Sequence, residues 1–291
     1  MQPAAAIQHQ YLCADGVPLH VTDYPGPYSG DSNDRGIVLL HGSGEHSGRY
    51  LTVIRFFREL GYSVRCFDHR GHGKSGGQRG DTPSDSQMLE DAAGVIREFA
   101  RQLPSPPMLF GHSMGGLLTC RLLAEPQLPV SGAILSAPAL ALYMPFWGQP
   151  VLRLLLKLAP GLGLPNGLSL PHLCHDPEVI RAYQRDPLVH DKISARLLSS
   201  MLVAIRDCHQ QASGLRVPVL MMIAGADKLV DPAGSEAFAA AAPQELISVC
   251  RYPAAFHEIL NEPLPNPAWA DIRHWLTRQS SQVFSSLQQR A

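Results

Sequence analysis

Apolar residues in the first half of the chain follow two rhythms, short unbroken runs and longer stretches in which they recur every three or four positions. Ile37-Val38-Leu39-Leu40 is too short for a helix and reads as a buried strand that ends at His41. Pro18 to Tyr24, Tyr62 to Phe67, Met108 to Phe110 and Val130 to Leu135 read as further strands. Between them, Met88, Ala92, Val95 and Phe99 mark one face of a helix, closed by Pro104, Pro106 and Pro107. Ser47 is placed to cap a helix that runs to about Leu60 and stops at Gly61. Met114 to Ala124 reads as another helix.

Strands alternating with helices predict a mostly parallel central sheet with helices on both faces. The rhythm breaks after Leu135, and the next clear strand, Pro218 to Ala224, starts roughly eighty residues later, far beyond an ordinary connection. The interval is rich in Leu, Pro and Gly and mainly helical in pattern. It is expected to form an inserted cap over residues 140–214, with the core made of 1–139 and 215–291. The sheet then resumes with a helix from Pro232 to Ala242 and a strand from Leu246 to Tyr252. A last helical segment carries Trp269, Ile272, Trp275 and Leu276 on one face.

Composition narrows the class. The 291 residues are 45% hydrophobic and 17% charged, with a formal net charge of -1. That is enough apolar material for a large core, and the balanced charge argues against nucleic acid as a partner. Six scattered cysteines without a CxxC pair suit a reducing compartment. The start of the chain lacks the charged and apolar regions of a signal peptide, and no stretch reaches a membrane-spanning length, so a cytoplasmic location is expected.

The candidate chemistry sits at three turns. Gly111-His112-Ser113-Met114-Gly115 follows a strand and opens a helix, the context in which G-x-S-x-G marks a nucleophile elbow. Ser113 is the candidate nucleophile. Glycines at 111 and 115 would keep Cβ atoms out of a crowded strand–helix approach. His41-Gly42-Ser43-Gly44 follows an earlier strand. The backbone N–H groups of Ser43 and Met114 are the candidate oxyanion donors. In such a fold the acid follows the nucleophile, and the histidine comes last. Asp231 precedes Pro232 at a helix start and already has a capping task, which leaves Asp227 as the acid. His274 lies off the apolar face of the last helix, which leaves His257, in a loop after the last strand, as the base. These three residues would carry out acyl transfer without a metal or organic cofactor. An Asp in place of Ser113 would be needed for haloalkane or epoxide hydrolysis.

Other segments carry weaker signals. Asp68 to Ser75 lacks the spacing of a phosphate-binding loop and reads as a hydrogen-bonded loop shaping the rim of the site. His172-Leu173-Cys174-His175-Asp176 has no second cluster to complete a metal site. The Leu-rich face of Val151 to Leu158 suits an acyl tunnel, a weak contact with a lipid interface, or a cap helix packed on the core.

Taken together, His41 to Tyr50, Asp68 to Gly76, Gly111 to Gly116, Asp186-Pro187-Leu188-Val189, Ala226-Asp227 and His257-Glu258 resemble the monoacylglycerol lipase and lysophospholipase-like α/β-hydrolases. The resemblance implies an α/β-hydrolase fold with a helical cap, cleaving monoacylglycerols or lysophospholipids with Ser113, Asp227 and His257. A general small-ester esterase, a peptidase of the proline-iminopeptidase type and a catalytically silent binding protein are the competing readings.

Overall fold

The computed structural model describes residues 5–288. The chain opens with strands β1 (Ile7–Leu12), β2 (Pro18–Tyr24) and β3 (Arg35–Leu40), then helix α1 (Leu51–Glu59) and strand β4 (Tyr62–Phe67). Next come α2 (Gln87–Ala100), β5 (Met108–His112), α3 (Met114–Leu122) and β6 (Gly132–Ser136). The long interval holds α4 (Gly148–Leu158), β7 (Leu164–Pro165), α5 (Pro177–Arg185), β8 (Lys192–Ile193) and α6 (Ala195–Gln211). The chain then forms β9 (Val219–Ala224), α7 (Pro232–Ala241), β10 (Ile247–Tyr252) and α8 (Ala268–Gln288).

Eight strands form one sheet in the order β1-β2-β4-β3-β5-β6-β9-β10. β1 and β2 are antiparallel to each other, and β2 to β4; every pairing from β4 to β10 is parallel. β1 has no apolar run to announce it. Its exposed Ile7 and Leu12 sit on an edge strand, where a strand needs one partner and little burial.

Successive residues of a strand face opposite sides of a sheet, and both sides here are covered. Val38 and Leu40 face the side built from α2, α3, α6 and α7. Ile37 and Leu39 face the side built from α1 and α8. This explains why β3, β5, β6 and β9 read as continuous apolar runs. The expected face of the last helix holds: Ile272, Trp275 and Leu276 are buried, and His274 is exposed. α6, the last helix before β9, packs on α3, and its Leu197, Met201, Ala204 and Cys208 join the core.

Ser47 does not cap a helix as its position suggested. His46 precedes a short 3₁₀ turn, Ser47–Tyr50, and its Nδ1 accepts the Gly48 N–H. Ser47 instead gives both its N–H and its hydroxyl to Asp68. A tertiary carboxylate thus outcompetes the local cap.

The strand order reverses direction at β3: the chain goes from β3 to β4 on one side, then to β5 on the other. Loops leaving the carboxyl ends of β3 and β5 must diverge there, opening a crevice. Gly111 of β5 pairs with Leu40 of β3, so the turns that follow these two residues are neighbours. α3 comes down on this junction so closely that a Cβ on Gly115 would lie 2.2 Å from the Leu40 carbonyl oxygen. Gly115→Ala is therefore expected to cost about 3 kcal/mol or more, as overpacking against backbone cannot relax by a rotamer change. Urea unfolding measures this, and an unchanged midpoint would place α3 farther from β3 than described.

Candidate active site

Ser113 occupies the turn between β5 and α3 with φ 52° and ψ -118°, a conformation that L-residues avoid. Its N–H donates to the Ser136 carbonyl at 3.1 Å, and its own carbonyl accepts from Leu117 and Ala139 N–H at 3.0 Å each. Such strain persists where the surroundings over-determine it. Met114 begins α3, so its N–H has no acceptor within the helix.

Asp227 lies in the loop after β9. Its Oδ1 accepts the Leu229 and Val230 N–H groups at 2.8 and 3.1 Å, and its Oδ2 meets His257 Nδ1 at 2.7 Å. Burial alone would raise its pKa. The hydrogen bond and charge of His257, with the two N–H donors, outweigh burial and hold the carboxyl below its ordinary value. An ionised Asp227 keeps the proton on His257 Nδ1, which leaves Nε2 as the free nitrogen. Asp231, the rejected candidate, caps α7 by accepting the Ala233 N–H at 2.9 Å. His257 also packs against the His112 ring at 4.7 Å. Ser113 and His257 line one cavity.

The turn after β3 is fixed by its own histidine. His41 Nε2 accepts the His69 N–H at 2.9 Å, so the ring proton is on Nδ1, which donates to the Gly42 carbonyl at 2.7 Å. In a trans peptide the N–H points opposite to the C=O, so the Ser43 N–H is turned away from the His41 ring. Glu45 Oε1 accepts the Gly42 N–H at 2.6 Å and the Tyr50 hydroxyl. Arg49 bonds Glu45 on one side and, at 2.7 and 3.1 Å, Glu258 on the other. One guanidinium therefore ties the turn after β3 to the residue following His257. Sequence reasoning missed this link. The four-residue spacing of Glu45 and Arg49 was its available signal, and Glu258 is far away in sequence.

The Asp68–Ser75 loop is hydrogen-bonded, as expected, but it does not shape the rim: none of its residues lines the cavity. It lies behind the turn after β3. Asp68 Oδ2 accepts the Lys74 N–H, and Arg70 is held by Asp91 and Asp15. His172 and His175 pack on Phe256, and His175 pairs with Glu262, so this cluster braces the His257 loop.

The cavity measures about 350 Å³, within the usual range for small-molecule sites. Leu142, Trp147, Leu152, Leu155, Met201 and Val230 make most of it apolar, while Ser43, Glu45, Arg49, Asn166 and Tyr183 form a polar end. Most of the apolar wall comes from the stretch between β6 and β9. α4 turns Leu152 and Leu155 inward and leaves Leu154 and Leu158 exposed.

A strained serine at a strand–helix elbow, a buried Asp–His pair and a cavity at the sheet's switch point define a serine hydrolase of the α/β-hydrolase fold. The family model described as serine aminopeptidase, S33, matches residues 31–264, and the chain belongs to that family. It is 34% identical over 276 residues to a monoacylglycerol lipase of Mycolicibacterium smegmatis, covering 92% of this chain and 96% of that one. It is 33% identical to the phospholipase YtpA of Bacillus subtilis, over 78% of this chain and 89% of the relative. A crystal structure of Paleococcus ferrophilus monoacylglycerol lipase superposes with a TM-score of 0.81 at 33% identity, covering 90% of this chain and 99% of that one.

The site makes the fold acid-sensitive. Burial, reinforced by neighbouring rings, lowers the pKa of His41 to about 3 and of His112 to about 4, and holds His69 and His72 well below the ordinary 6.5. The unfolded chain protonates these rings below pH 6.5 while the folded chain leaves them neutral. Stability is then complete above 6.5 and falls toward pH 4, by up to about 1.4 kcal/mol per pH unit for each ring. Asp227 adds its loss only below its ordinary 3.8. Denaturant unfolding at pH 7.5, 6 and 5 should show this decline, and His112→Gln should flatten it by about one proton. A flat profile would mean that the rings are already charged in the folded protein.

Proposed function

We propose that this chain hydrolyses carboxylic esters of single-chain lipids, monoacylglycerol first and lysophospholipid as a related substrate, through an acyl-enzyme on Ser113. The observation that carries this reading is the cavity itself. It is largely apolar with a polar end, and it has the elbow serine and His257 on its wall, the latter backed by Asp227. An acyl chain fits the apolar side, and the polar end suits a small alcohol headgroup.

In the mechanism, His257 Nε2 takes the proton of Ser113 as Oγ attacks the ester carbonyl. Asp227 holds the imidazole tautomer and stabilises the imidazolium. The Ser43 and Met114 N–H groups receive the oxyanion. His257 then protonates the departing alcohol, and water repeats the sequence on the acyl-enzyme. Residues 140–214 act as the cap that supplies the acyl wall, rooted in the core by α6.

The peptidase reading has less support. An aminopeptidase needs a carboxylate for the free amine of its substrate, and the two glutamates on the cavity wall, Glu45 and Glu258, are both engaged by Arg49.

The outer face of the inserted segment fits a weak lipid-interface contact: Phe146 is 94% exposed, Leu158 75% and Leu154 56%. Among the described residues no helix is long and apolar enough to cross a membrane. The six cysteines are unpaired, which suits a cytoplasmic setting.

Hydrolysis of 1-monoacylglycerols of several chain lengths, lysophosphatidylcholine and short nitrophenyl esters tests the substrate class. Ser113→Ala should lower turnover by about 10⁶, and Asp227→Asn by about 10⁴. Activity confined to short esters would reduce the reading to a general esterase. Phe146→Ser combined with Leu158→Ser should weaken binding to phospholipid vesicles and leave hydrolysis of a soluble ester intact; unchanged vesicle binding would remove the interface contact.

A further inference from the structure

We propose that the Ser43 hydroxyl is a third donor to the oxyanion, which makes its side chain a catalytic residue alongside Ser113. This inference rests on the ester-hydrolase reading and adds a group to the same site.

Ser43 Oγ is shielded from solvent and has no hydrogen-bond partner among the described residues. A buried hydroxyl normally finds one. Four other buried side-chain atoms are in the same condition, on His72, Thr119, His172 and Trp275, and none of those residues lines the cavity. Ser43 does, together with Ser113 and His257. Among these five, Ser43 alone borders the cavity, with its hydroxyl closed off from open space as it stands.

The position fits the reacting centre. The backbone leading to Ser43 runs against the nucleophile: a Cβ on Gly42 would lie 3.3 Å from Ser113 Cβ. That backbone is pinned on both sides of Gly42, by Glu45 at its N–H and by His41 at its carbonyl. Ser43 thus follows a fixed residue that abuts the nucleophile. χ1 is the one heavy-atom torsion that redirects its hydroxyl.

The chemistry favours the transition state. A neutral ester carbonyl is a modest acceptor, whereas the alkoxide of the tetrahedral intermediate is a charged one, and hydrogen bonds to charged acceptors are about twice as strong. A donor placed here binds the intermediate better than the substrate, so it raises kcat and leaves KM nearly unchanged. The hydroxyl donates its proton to a hydrogen bond only; no bond to Ser43 forms or breaks. Unlike the backbone donors, this one can be removed by a single substitution.

Ser43→Ala keeps the backbone N–H and deletes only the hydroxyl. It should lower kcat on monoacylglycerol and on a nitrophenyl ester by about 10- to 10²-fold, at or below the usual cost of one lost oxyanion donor. KM should stay within about threefold, and affinity for an alkylboronic acid, which mimics the tetrahedral state, should fall in parallel with kcat. Ser43→Thr, which retains a hydroxyl, should recover part of both. Thermal unfolding of each variant establishes that it is folded. A Ser43→Ala enzyme within twofold of the parent in kcat and boronate affinity would overturn the inference. So would an equal loss in the Ala and Thr variants with boronate binding unchanged, which is the mark of a packing role. If the parent itself shows no Ser113-dependent hydrolysis, the ester-hydrolase reading fails first and this inference falls with it.

Discussion

The approach of α3 to the ends of β3 and β5 is the constraint on which the site depends. Two carbonyl oxygens, of Leu40 and His41, crowd the space where a Cβ at position 115 would stand. The helix can start there only with glycine, and it must start abruptly, which forces Ser113 to positive φ. The strain is held by three backbone hydrogen bonds to Ser136, Leu117 and Ala139. One packing requirement therefore sets the conformation of Ser113, the orphan N–H at Met114 and the nearness of the turn after β3.

Around this junction the protein uses polar groups that are buried and almost fully satisfied. Glu45, Arg49 and Glu258 form a chain of charges that joins the turn after β3 to the loop carrying His257. Buried ion pairs seldom add much net stability, because desolvation offsets attraction. Their value here is positional, since the two loops come from residues more than two hundred apart in sequence. The buried histidines behave likewise: they fix backbone carbonyls and N–H groups as neutral rings, at the cost of tolerance to acid.

The stretch between β6 and β9 has two faces with different physics. Its inner residues make the apolar wall of the cavity, while Phe146, Leu154 and Leu158 remain in water on the outside. A helix apolar on both faces is hard to read from sequence, because the inward and outward positions show the same residue types. The segment is nonetheless firmly rooted: α6 packs its Leu197 and Met201 into the main core, and Arg196 and Ser194 bond Asp81.

The placement of the candidate site was partly legible in the sequence. Ser113, Asp227 and His257 each lie in a short segment whose local pattern, elbow, capping contrast or loop after a strand, is specified by neighbours within a few residues. The buried strands were legible for the same reason, since an apolar run needs no distant partner to be recognised. β1 was not, because an edge strand draws its pairing from β2 and carries little hydrophobic signal. Ser47 looked like a helix cap until Asp68 came within reach of it. The sequence by itself determined which residues are available for the chemistry and that alternating strands and helices build a mostly parallel sheet. The tertiary structure decided the rest: the Arg49 bridge, the placement of the Asp68 loop behind the site and a Ser43 hydroxyl without a partner among the described residues. Each of these depends on groups far apart along the chain, and only packing sets their distances.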